Sequence, residues 1–538
     1  MMIDKIVNFA RDYPFYSLGL TFLFIFSFQS LNIFYGFELL DSGFHLTAYE
    51  NIFDAPDSVS YNFMYYLTNV IGGIIMKIFP CIGVVGFRIV GALFVDCAIL
   101  LIFLCLRKDI PVIHLLFGGV LVVLSYIQIP YSFNNGICSC FLYVCAILVL
   151  YKGLVNEKVA LILLGGVIVG INIFSRIPNL LAVGLVLITL FHRYIENGIL
   201  NYDWRSTLFF VLGVLIGITS IAIMIVLLGH QHAFIETLHI LFQKGTSSSD
   251  THSAGTLIWV QIYFYLNAVI PAALFFAILC ISKLLEEKSP LLRVLFIGVA
   301  SLVMLNHVYL NFGNEPLWAM CAVGCLWGMC RRGQLALLAS LAMFMLIVEI
   351  MGSNSGYNHG SLPALLAAPV AIFIIINRKC LYYIVVVCLA LFIKVVKQGN
   401  FFDFGPLYMK KYSIYVKECS LIKTTEARAE AMNVSLPAIK RYVHPREKLL
   451  VFGSAPMINY LTHTRPAGGV CWPAEGFYIK PHESAPKILI HKFGDFAEPA
   501  VQTRGVPTGN QMLNSYMQEH QYQVVWENPY FILLFPQK

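Results

Sequence analysis

The sequence predicts a mainly α-helical, polytopic membrane protein with a C-terminal α/β domain outside the membrane. Of its 538 residues, 58% are hydrophobic and only 12% are charged. Apolar runs long enough to cross ~30 Å of hydrocarbon, about 20 residues of helix, recur between residues 14 and 396. These runs are continuous and do not alternate, so helices are expected and barrel strands are not.

The apolar runs predict about thirteen transmembrane helices. One further run, at 61–79, is apolar enough to compete as a span. The expected spans are 14–36, 84–106, 111–129, 137–151, 159–174, 178–192, 206–228, 257–282, 291–310, 316–330, 335–351, 362–377 and 380–396.

The distribution of Lys and Arg predicts the orientation of these spans. If the N-terminus is cytoplasmic and 61–79 does not cross, the opposite loops contain only Lys77, Arg176 and Lys244. We therefore expect 61–79 to lie in the outer interface. An odd number of spans then places the C-terminus outside. The cytoplasmic loops would hold Arg107, Lys108, Lys152, Lys158, Arg193, Arg205, Lys283, Lys288, Arg293, Arg331, Arg332, Arg378 and Lys379.

The hydrophobic pattern changes at about residue 397, which divides the chain into a membrane domain (1–396) and an outer domain (397–538). Short apolar runs predict strands, and one amphipathic run predicts a helix. About 140 residues are enough for a separate core. The expected strands are 447–453, 486–493, 522–526 and 530–535, with the helix at 510–520.

Cysteine usage and charge exclude several classes of protein. Of 14 Cys, only Cys419 and Cys471 lie in the outer domain, where a disulfide between them stays open. No spacing typical of a zinc ribbon or a dinucleotide-binding loop occurs. The net charge of +7 lies mostly in the expected cytoplasmic loops, so it reports orientation and not binding to nucleic acid.

The segment FELLDSGFHLTAYENIFDAPDS (37–58) is acidic and polar within the first outer loop, 37–83. Charge against a bilayer is costly, which makes this segment a candidate functional site. If DSGFH is helical, Asp41 and His45 share one face. A carboxylate there can accept a proton from a hydroxyl. The alternative is that Asp41 only caps the helix.

Cations at the outer ends of the spans are candidate phosphate ligands, because Arg and Lys are the usual partners of phosphate. They are Arg88, Arg176, Lys77 and Lys244. The alternative is that these side chains reach toward the interface without binding a ligand. Asp96 differs, because it lies in the middle of a span and is expected to be paired inside the bundle.

Two other outer segments are polar. The loop 229–254 contains His230, His232, His239 and His252, but no nearby carboxylate or Cys completes a metal pattern, so a mobile lid is favoured. In MGSNSGYNHGSLP (351–363), Asn354, Asn358 and His359 are candidate hydrogen-bond donors to a sugar or phosphate. The alternative for this second segment is a turn with Ser361 as a helix cap.

The order of these features resembles the C-type (GT-C) membrane glycosyltransferases, and within them the aminoarabinose transferase and protein mannosyltransferase branch. The resemblance is carried by the acidic first loop, by FRIVGALF (87–94) and by KLLVFGSAPMINYLTHTRPAGG (448–469). It implies a polyprenyl-phosphate-linked sugar as donor, transferred with inversion to a hydroxyl of a lipid, glycan or protein. It also implies Asp41 as catalytic carboxylate and Arg88 and Arg176 as phosphate contacts, in a bacterial inner membrane.

The sequence departs from this family after Asp41, where many members have a second acidic residue and this chain has Ser42. Glu38, Asp54 or Asp57 could substitute. No cofactor is certain, and a divalent cation near Asp41 stays open. The alternatives are an oligosaccharyltransferase or O-antigen-type ligase that uses a lipid-diphosphate glycan, and a flippase. The chain shows no pair of inverted halves, which disfavours a transporter.

Overall fold

The computed structural model describes residues 2–126, 132–246, 254–285, 315–353, 360–375, 403–472, 484–492 and 511–537, with isolated positions between 289 and 400. His252, Asn354, Asn358 and His359 lie outside the described residues, as do most of the expected spans 291–310 and 380–396.

The helices of the membrane domain follow the apolar runs of the sequence. Three 3₁₀ segments lie among the described helices of this domain: Pro56–Tyr65, Ile177–Gly184 and Leu362–Ala364. The helices are α1 (Met2–Asp12), α2 (Pro14–Phe34), α3 (Asp41–Asn51), α4 (Tyr66–Ile78), α5 (Gly83–Leu106), α6 (Val112–Ser125), α7 (Asn135–Val155), α8 (Val159–Asn172), α9 (Leu185–Asn197), α10 (Trp204–Leu227), α11 (Gln231–Thr246), α12 (Ala254–Leu285), α13 (Glu315–Met329), α14 (Gln334–Val348) and α15 (Ala367–Ile375).

Five helices of the described chain are long and apolar enough to cross a membrane. They are α2, α5, α7, α10 and the span Ile177–Asn197, which consists of the 3₁₀ segment Ile177–Gly184 followed directly by α9. The shorter helices α6, α8 and α14 are also apolar. These helices are the architecture of an integral, multi-pass membrane protein. The expected total of thirteen spans is not confirmed, and the direction of the termini stays a prediction.

Helix α4 accounts for the ambiguous run at 61–79. It has 13 residues and is therefore about 20 Å long, which is short for a bilayer. It follows the 3₁₀ segment Pro56–Tyr65, and the backbone amide of Leu67 donates a hydrogen bond to the carbonyl of Phe174 at 2.8 Å. This run is thus a bent, two-part element of the first outer loop.

Glycines allow α8 and α10 to pack with their backbones in contact. A Cβ added at Gly166 would lie 2.2 Å from the Phe210 carbonyl oxygen, and one at Gly213 would lie 2.2 Å from that of Leu163. Gly170 and Gly217 repeat the pattern one turn further along each helix. Small residues at this spacing are the usual means by which membrane helices approach closely.

Asp96 has the structural partner that its position predicts. The amide Nε2 of Gln29 in α2 donates a hydrogen bond to Asp96 Oδ1 in α5 at 2.9 Å. The pair therefore joins two neighbouring spans.

The outer domain contains the predicted strands and helix. A five-stranded sheet has the order β6-β5-β7-β9-β8; β6, β5 and β7 are parallel, and β9 is antiparallel to both β7 and β8. The elements are β1 (Gly399–Asn400), β2 (Asp403–Phe404), β3 (Tyr412–Ser413), β4 (Lys423–Thr424), α16 (Glu426–Tyr442), β5 (Lys448–Phe452), α17 (Met457–Thr462), β6 (Arg465–Pro466), β7 (Lys487–His491), α18 (Gln511–Glu519), β8 (Gln523–Glu527) and β9 (Phe531–Phe535).

A buried Asp joins the outer domain to the first outer loop. Asp403 Oδ2 accepts hydrogen bonds from the amide of Phe37 at 2.8 Å and from the hydroxyl of Thr424 at 2.7 Å. Arg428 Nε lies 3.3 Å from Asp403 Oδ1, and Arg428 Nη1 donates to the Phe37 carbonyl at 2.7 Å. The two thiols of this domain, Cys419 and Cys471, are both buried and free.

Candidate active site

The acidic segment forms a helix, as its spacing predicts. Helix α3 begins at Asp41, and nine of its eleven residues are buried. Asp41 and His45 are one turn apart and so lie on one side of this helix. The start of α3 therefore places a carboxylate among groups of the first outer loop.

Glu38 caps α3, so the interpretation of Asp41 as a simple helix cap is wrong. Glu38 Oε2 accepts the backbone amide of Leu40 at 2.5 Å, and Oε1 accepts that of Ser42 at 2.6 Å. The two oxygens of Glu38 thus accept hydrogen bonds from amides at the start of α3 that have no partner within the helix. Glu38 is therefore a poor substitute for a second catalytic carboxylate, while Asp41 stays available for chemistry.

The Asp41 carboxyl has the properties of a general base. Burial, and secondarily the charge of Glu38, raise the pKa of Asp41 to about 7. Asp41 as a whole residue is half-buried. A carboxylate with a pKa near the working pH accepts protons effectively and is still largely ionised above neutrality.

His45 does not pair with Asp41. Its Nε2 lies 3.1 Å from Asn135 Oδ1 at the start of α7, and its ring stacks on Tyr49 with centroids 6.0 Å apart. Burial lowers the pKa of His45 to about 4, so the ring is neutral near pH 7. These contacts are those of a residue that positions α3 against α7. They do not test the catalytic role expected for His45, which stays a prediction.

The outer domain contacts α3 on a second side. A Cβ at Gly43 would lie 2.2 Å from the backbone nitrogen of Met457. That nitrogen donates to the Leu39 carbonyl at 3.0 Å, and the hydroxyl of Thr47 donates to the Pro456 carbonyl at 3.1 Å. The motifs DSGFH and GSAPMINY, far apart in sequence, therefore form one interface.

A second contact between the outer domain and α3 is ionic. His463 Nδ1 lies 2.6 Å from Glu50 Oε1, and His463 Nε2 lies 3.2 Å from Glu418 Oε1. Hydrogen bonds, first from Glu418 and then from Glu50, raise the pKa of His463 to about 9. The imidazolium thus joins α3 to the outer domain at neutral pH.

Arg176 is buried in a polar network behind the first loop. Its Nη1 donates to the Glu349 carbonyl at 2.5 Å and lies 3.7 Å from Glu349 Oε1, while Nη2 donates to the Met351 carbonyl at 3.1 Å. Burial raises the pKa of Tyr65 to about 12, and this hydroxyl lies within electrostatic reach of both Arg176 and Asp41.

Arg88 has a structural environment. It is fully buried, and its Nη1 donates to the carbonyls of Asn32 and Ile33, each at 3.2 Å. These carbonyls belong to the last turn of α2, where backbone carbonyls have no hydrogen-bond partner within the helix. The contacts seen for Arg88 therefore support the end of a helix and give no support to a role in ligand binding.

Of the other predicted cations, only Lys77 has a described side chain, and its ion pair is with Asp54. Lys77 is exposed, lies 3.1 Å from Asp54 Oδ1, and stacks over Phe53 at 4.7 Å. Lys244 lies in α11, but its side chain is outside the described part of the chain. Asn354 and His359 are also outside it. Ser361 stands at the N-cap position of the 3₁₀ helix Leu362–Ala364, but its hydroxyl donates to the Val122 carbonyl at 2.7 Å and makes no capping hydrogen bond.

One group of side chains in the described chain could hold a metal ion, and it does not include Asp41. It consists of Asp57, His232 and Glu236. The expectation that no carboxylate completes a metal pattern around the 229–254 histidines is wrong, because folding brings Asp57 to His232. His230 is not part of the group; its Nδ1 lies 3.2 Å from the Tyr66 hydroxyl.

Sequence reasoning missed several residues that shape this site: Glu38 as the cap, Tyr65 as a ring neighbour of His45, and Asn135 as the hydrogen-bond partner of His45. A capping signal was present, since Glu38 stands just before the helix. Nothing local to Tyr65 or Asn135 marks them, because their roles depend on contacts between distant helices.

No family model matches the chain, and no curated protein matches it. The chain is similar to the crystal structure of ArnT from Cupriavidus metallidurans bound to undecaprenyl phosphate, with 12% identity, a TM-score of 0.46 and coverage of 96% of this chain and 97% of that chain. For apo ArnT the identity is 12%, the TM-score 0.45, and the coverage again 96% and 97%. For the apo Archaeoglobus fulgidus oligosaccharyltransferase, the identity is 14%, the TM-score 0.44, and the coverage 85% of this chain and 65% of that chain.

Proposed function

We propose that this protein is a membrane glycosyltransferase that moves a sugar from a polyprenyl-phosphate carrier to an acceptor hydroxyl, with Asp41 as the general base. The observation that carries this proposal is the state of Asp41. Glu38 has taken over the capping of α3, and burial raises the pKa of the Asp41 carboxyl to about 7. Such a group is suited to proton transfer.

The proposed reaction needs one proton acceptor and one good leaving group. Asp41 takes the proton of the acceptor hydroxyl as its oxygen attacks the anomeric carbon. The bond from that carbon to the phosphate oxygen breaks, and the phosphate leaves with the electron pair. Attack opposite the leaving group inverts the anomeric configuration, and no nucleotide takes part.

We assign the stabilisation of the leaving phosphate to Arg176 and not to Arg88. The charges of Arg176 and Asp41 both act on the pKa of Tyr65, whereas Arg88 donates to two backbone carbonyls at the end of α2. Glu349 and two backbone carbonyls hold the Arg176 guanidinium in place. A fixed cation near a developing negative charge lowers the barrier without the cost of reorganisation.

The carrier and the compartment belong to the same proposal. A polyprenyl tail requires a hydrophobic surface that opens to the bilayer, which a bundle of apolar helices provides. The Lys and Arg distribution places the first outer loop and the outer domain on the same, non-cytoplasmic side. We expect this to be the periplasmic face of a bacterial inner membrane.

The decisive experiment compares Asp41→Asn with Asp54→Asn in purified protein supplied with a polyprenyl-monophosphate sugar. Asp54 lies in the same loop but is exposed and paired with Lys77, so it is the matched control. We expect Asp41→Asn to lower turnover by about 10²–10⁴-fold with near-normal donor binding, as is typical for the loss of a general base. Asp54→Asn should retain activity.

The pH profile gives a second readout. Because the base must be ionised and its pKa is about 7, wild-type turnover should fall as the pH drops below 7. Turnover of Asp41→Asn within a few fold of wild type would remove Asp41 as the base. Parallel assays with an oligosaccharide-diphosphate lipid separate the proposed transferase from an oligosaccharyl ligase, which would prefer that donor.

A further inference from the structure

Three side chains with metal-binding atoms meet where α11 lies against the Pro56–Tyr65 segment. One ligand atom each from Asp57, His232 and Glu236 lies within 4.8 Å of the other two. His232 Nδ1 and Asp57 Oδ1 are 3.0 Å apart, although 175 residues separate them in sequence. His232 and Glu236, four residues apart on α11, share one face of that helix.

Contacts on either side of this group hold its framework. The hydroxyl of Thr237 donates to the Ser60 carbonyl, and His230 Nδ1 lies 3.2 Å from the Tyr66 hydroxyl. Thr237 and Ser60 are both buried. The helix and the loop segment are therefore joined independently of any ion, and the three ligand side chains project from backbones with a fixed spacing.

We propose that Asp57, His232 and Glu236 form a Zn²⁺ site that fastens helix α11 to the first outer loop. Zinc is commonly bound by imidazole nitrogen and carboxylate oxygen at about 2.0–2.2 Å. Two ligands of a tetrahedral ion are then about 3.4 Å apart, so binding an ion would draw together three ligand atoms that already lie within 4.8 Å of one another. The fourth position is left to water.

Charge and access agree with this assignment. Two carboxylates and one imidazole give the site a net negative charge, which attracts a divalent cation. The side chains of Asp57 and His232 are 63% and 75% exposed, so an ion can enter directly from water. The site lies on the same loop as Asp41 but shares no residue with the proposed catalytic machinery, and it does not depend on the proposed function.

The test measures zinc binding directly. Full-length, tag-free protein is treated with a chelator, dialysed, and titrated with Zn²⁺, with stoichiometry measured by plasma mass spectrometry and affinity by calorimetry. The wild type should bind one Zn²⁺ per chain. Affinity should fall at least tenfold in His232→Ala and in Glu236→Gln, since a lost ligand weakens the site. His239→Ala is the matched control, because His239 is also an exposed histidine of α11.

A rise in the melting temperature on zinc addition should accompany binding in the wild type and in His239→Ala. That rise should be absent in His232→Ala. The proposal would be overturned if His232→Ala bound zinc as tightly as His239→Ala. It would also be overturned if the wild type bound no Zn²⁺. Melting without zinc checks that each variant is folded.

Discussion

Gly43 should be essential to the fit between α3 and the outer domain. The helix α3 passes so close to α17 that a Cβ at position 43 would lie 2.2 Å from the backbone nitrogen of Met457 and 2.4 Å from its Cα. Backbone cannot rotate away from this overlap as a flexible side chain would. The substitution Gly43→Ala therefore forces the two elements apart by about 1 Å to reach ordinary contact at 3.4 Å.

The size of the effect follows from the contacts at this interface. Separation stretches the hydrogen bonds from Met457 N to the Leu39 carbonyl and from the Thr47 hydroxyl to the Pro456 carbonyl, each worth about 1 kcal/mol. Residual overpacking adds about 1–3 kcal/mol, while the higher helix propensity of Ala returns about 1 kcal/mol. The net loss of docking free energy is about 2 kcal/mol or more.

Hydrogen exchange measures this loss. A loss of about 2 kcal/mol raises the population of the undocked state about 30-fold, so the amides of Met457–Thr462 should exchange about 30-fold faster in Gly43→Ala. Gly19→Ala is the control, because Gly19 lies within α2 and no heavy atom lies within 4 Å of its added Cβ. Unchanged protection of α17 in Gly43→Ala would refute this reasoning.

Two further predictions concern pH and helix packing. The pKa of His463 is raised from 6.5 to about 9 in the folded protein. The stabilising contribution of His463 is therefore complete below pH 6.5 and is lost as the pH rises through 9. The melting temperatures of His463→Gln and of the wild type should differ at pH 6 and converge above pH 9, and a difference that stays constant with pH would contradict the ion pair. Gly213→Val should separate α8 from α10 and lower the melting temperature by several degrees. Gly255→Val is the control and should leave the melting temperature unchanged, because a Cβ at this position in α12 has no heavy atom within 4 Å. Equal effects of the two substitutions would show that the close approach of α8 and α10 does not stabilise the protein.

The local features of this fold could be read from the sequence. Apolar runs located the helices because burial in lipid requires continuous hydrophobic stretches, and the predicted outer strands reappear as β5, β7, β8 and β9. The spacing of Asp41 and His45 predicted a helix that the structure contains. These properties depend on residues that are close in sequence, which is why a single chain reveals them.

The partners of the charged groups could not be read in the same way. Arg88 and Arg176 looked alike in sequence, but one supports the end of α2 and the other lies in a network near Tyr65. His232 found its carboxylate 175 residues away. Such pairings are set by how distant helices pack, and nothing in the local pattern of residues encodes them.

The Asp403 junction has a consequence for biosynthesis. Asp403 reaches the amide of Phe37 across 366 residues, Arg428 reaches the Phe37 carbonyl across 391, and Thr47 reaches Pro456 across 409. The loop that bears Asp41 thus leaves the ribosome at least 366 residues before the groups that hold it in place. A nascent chain carries this loop without these contacts until the outer domain has been synthesised. The conformation of the loop is therefore completed in a step that follows synthesis of the outer domain.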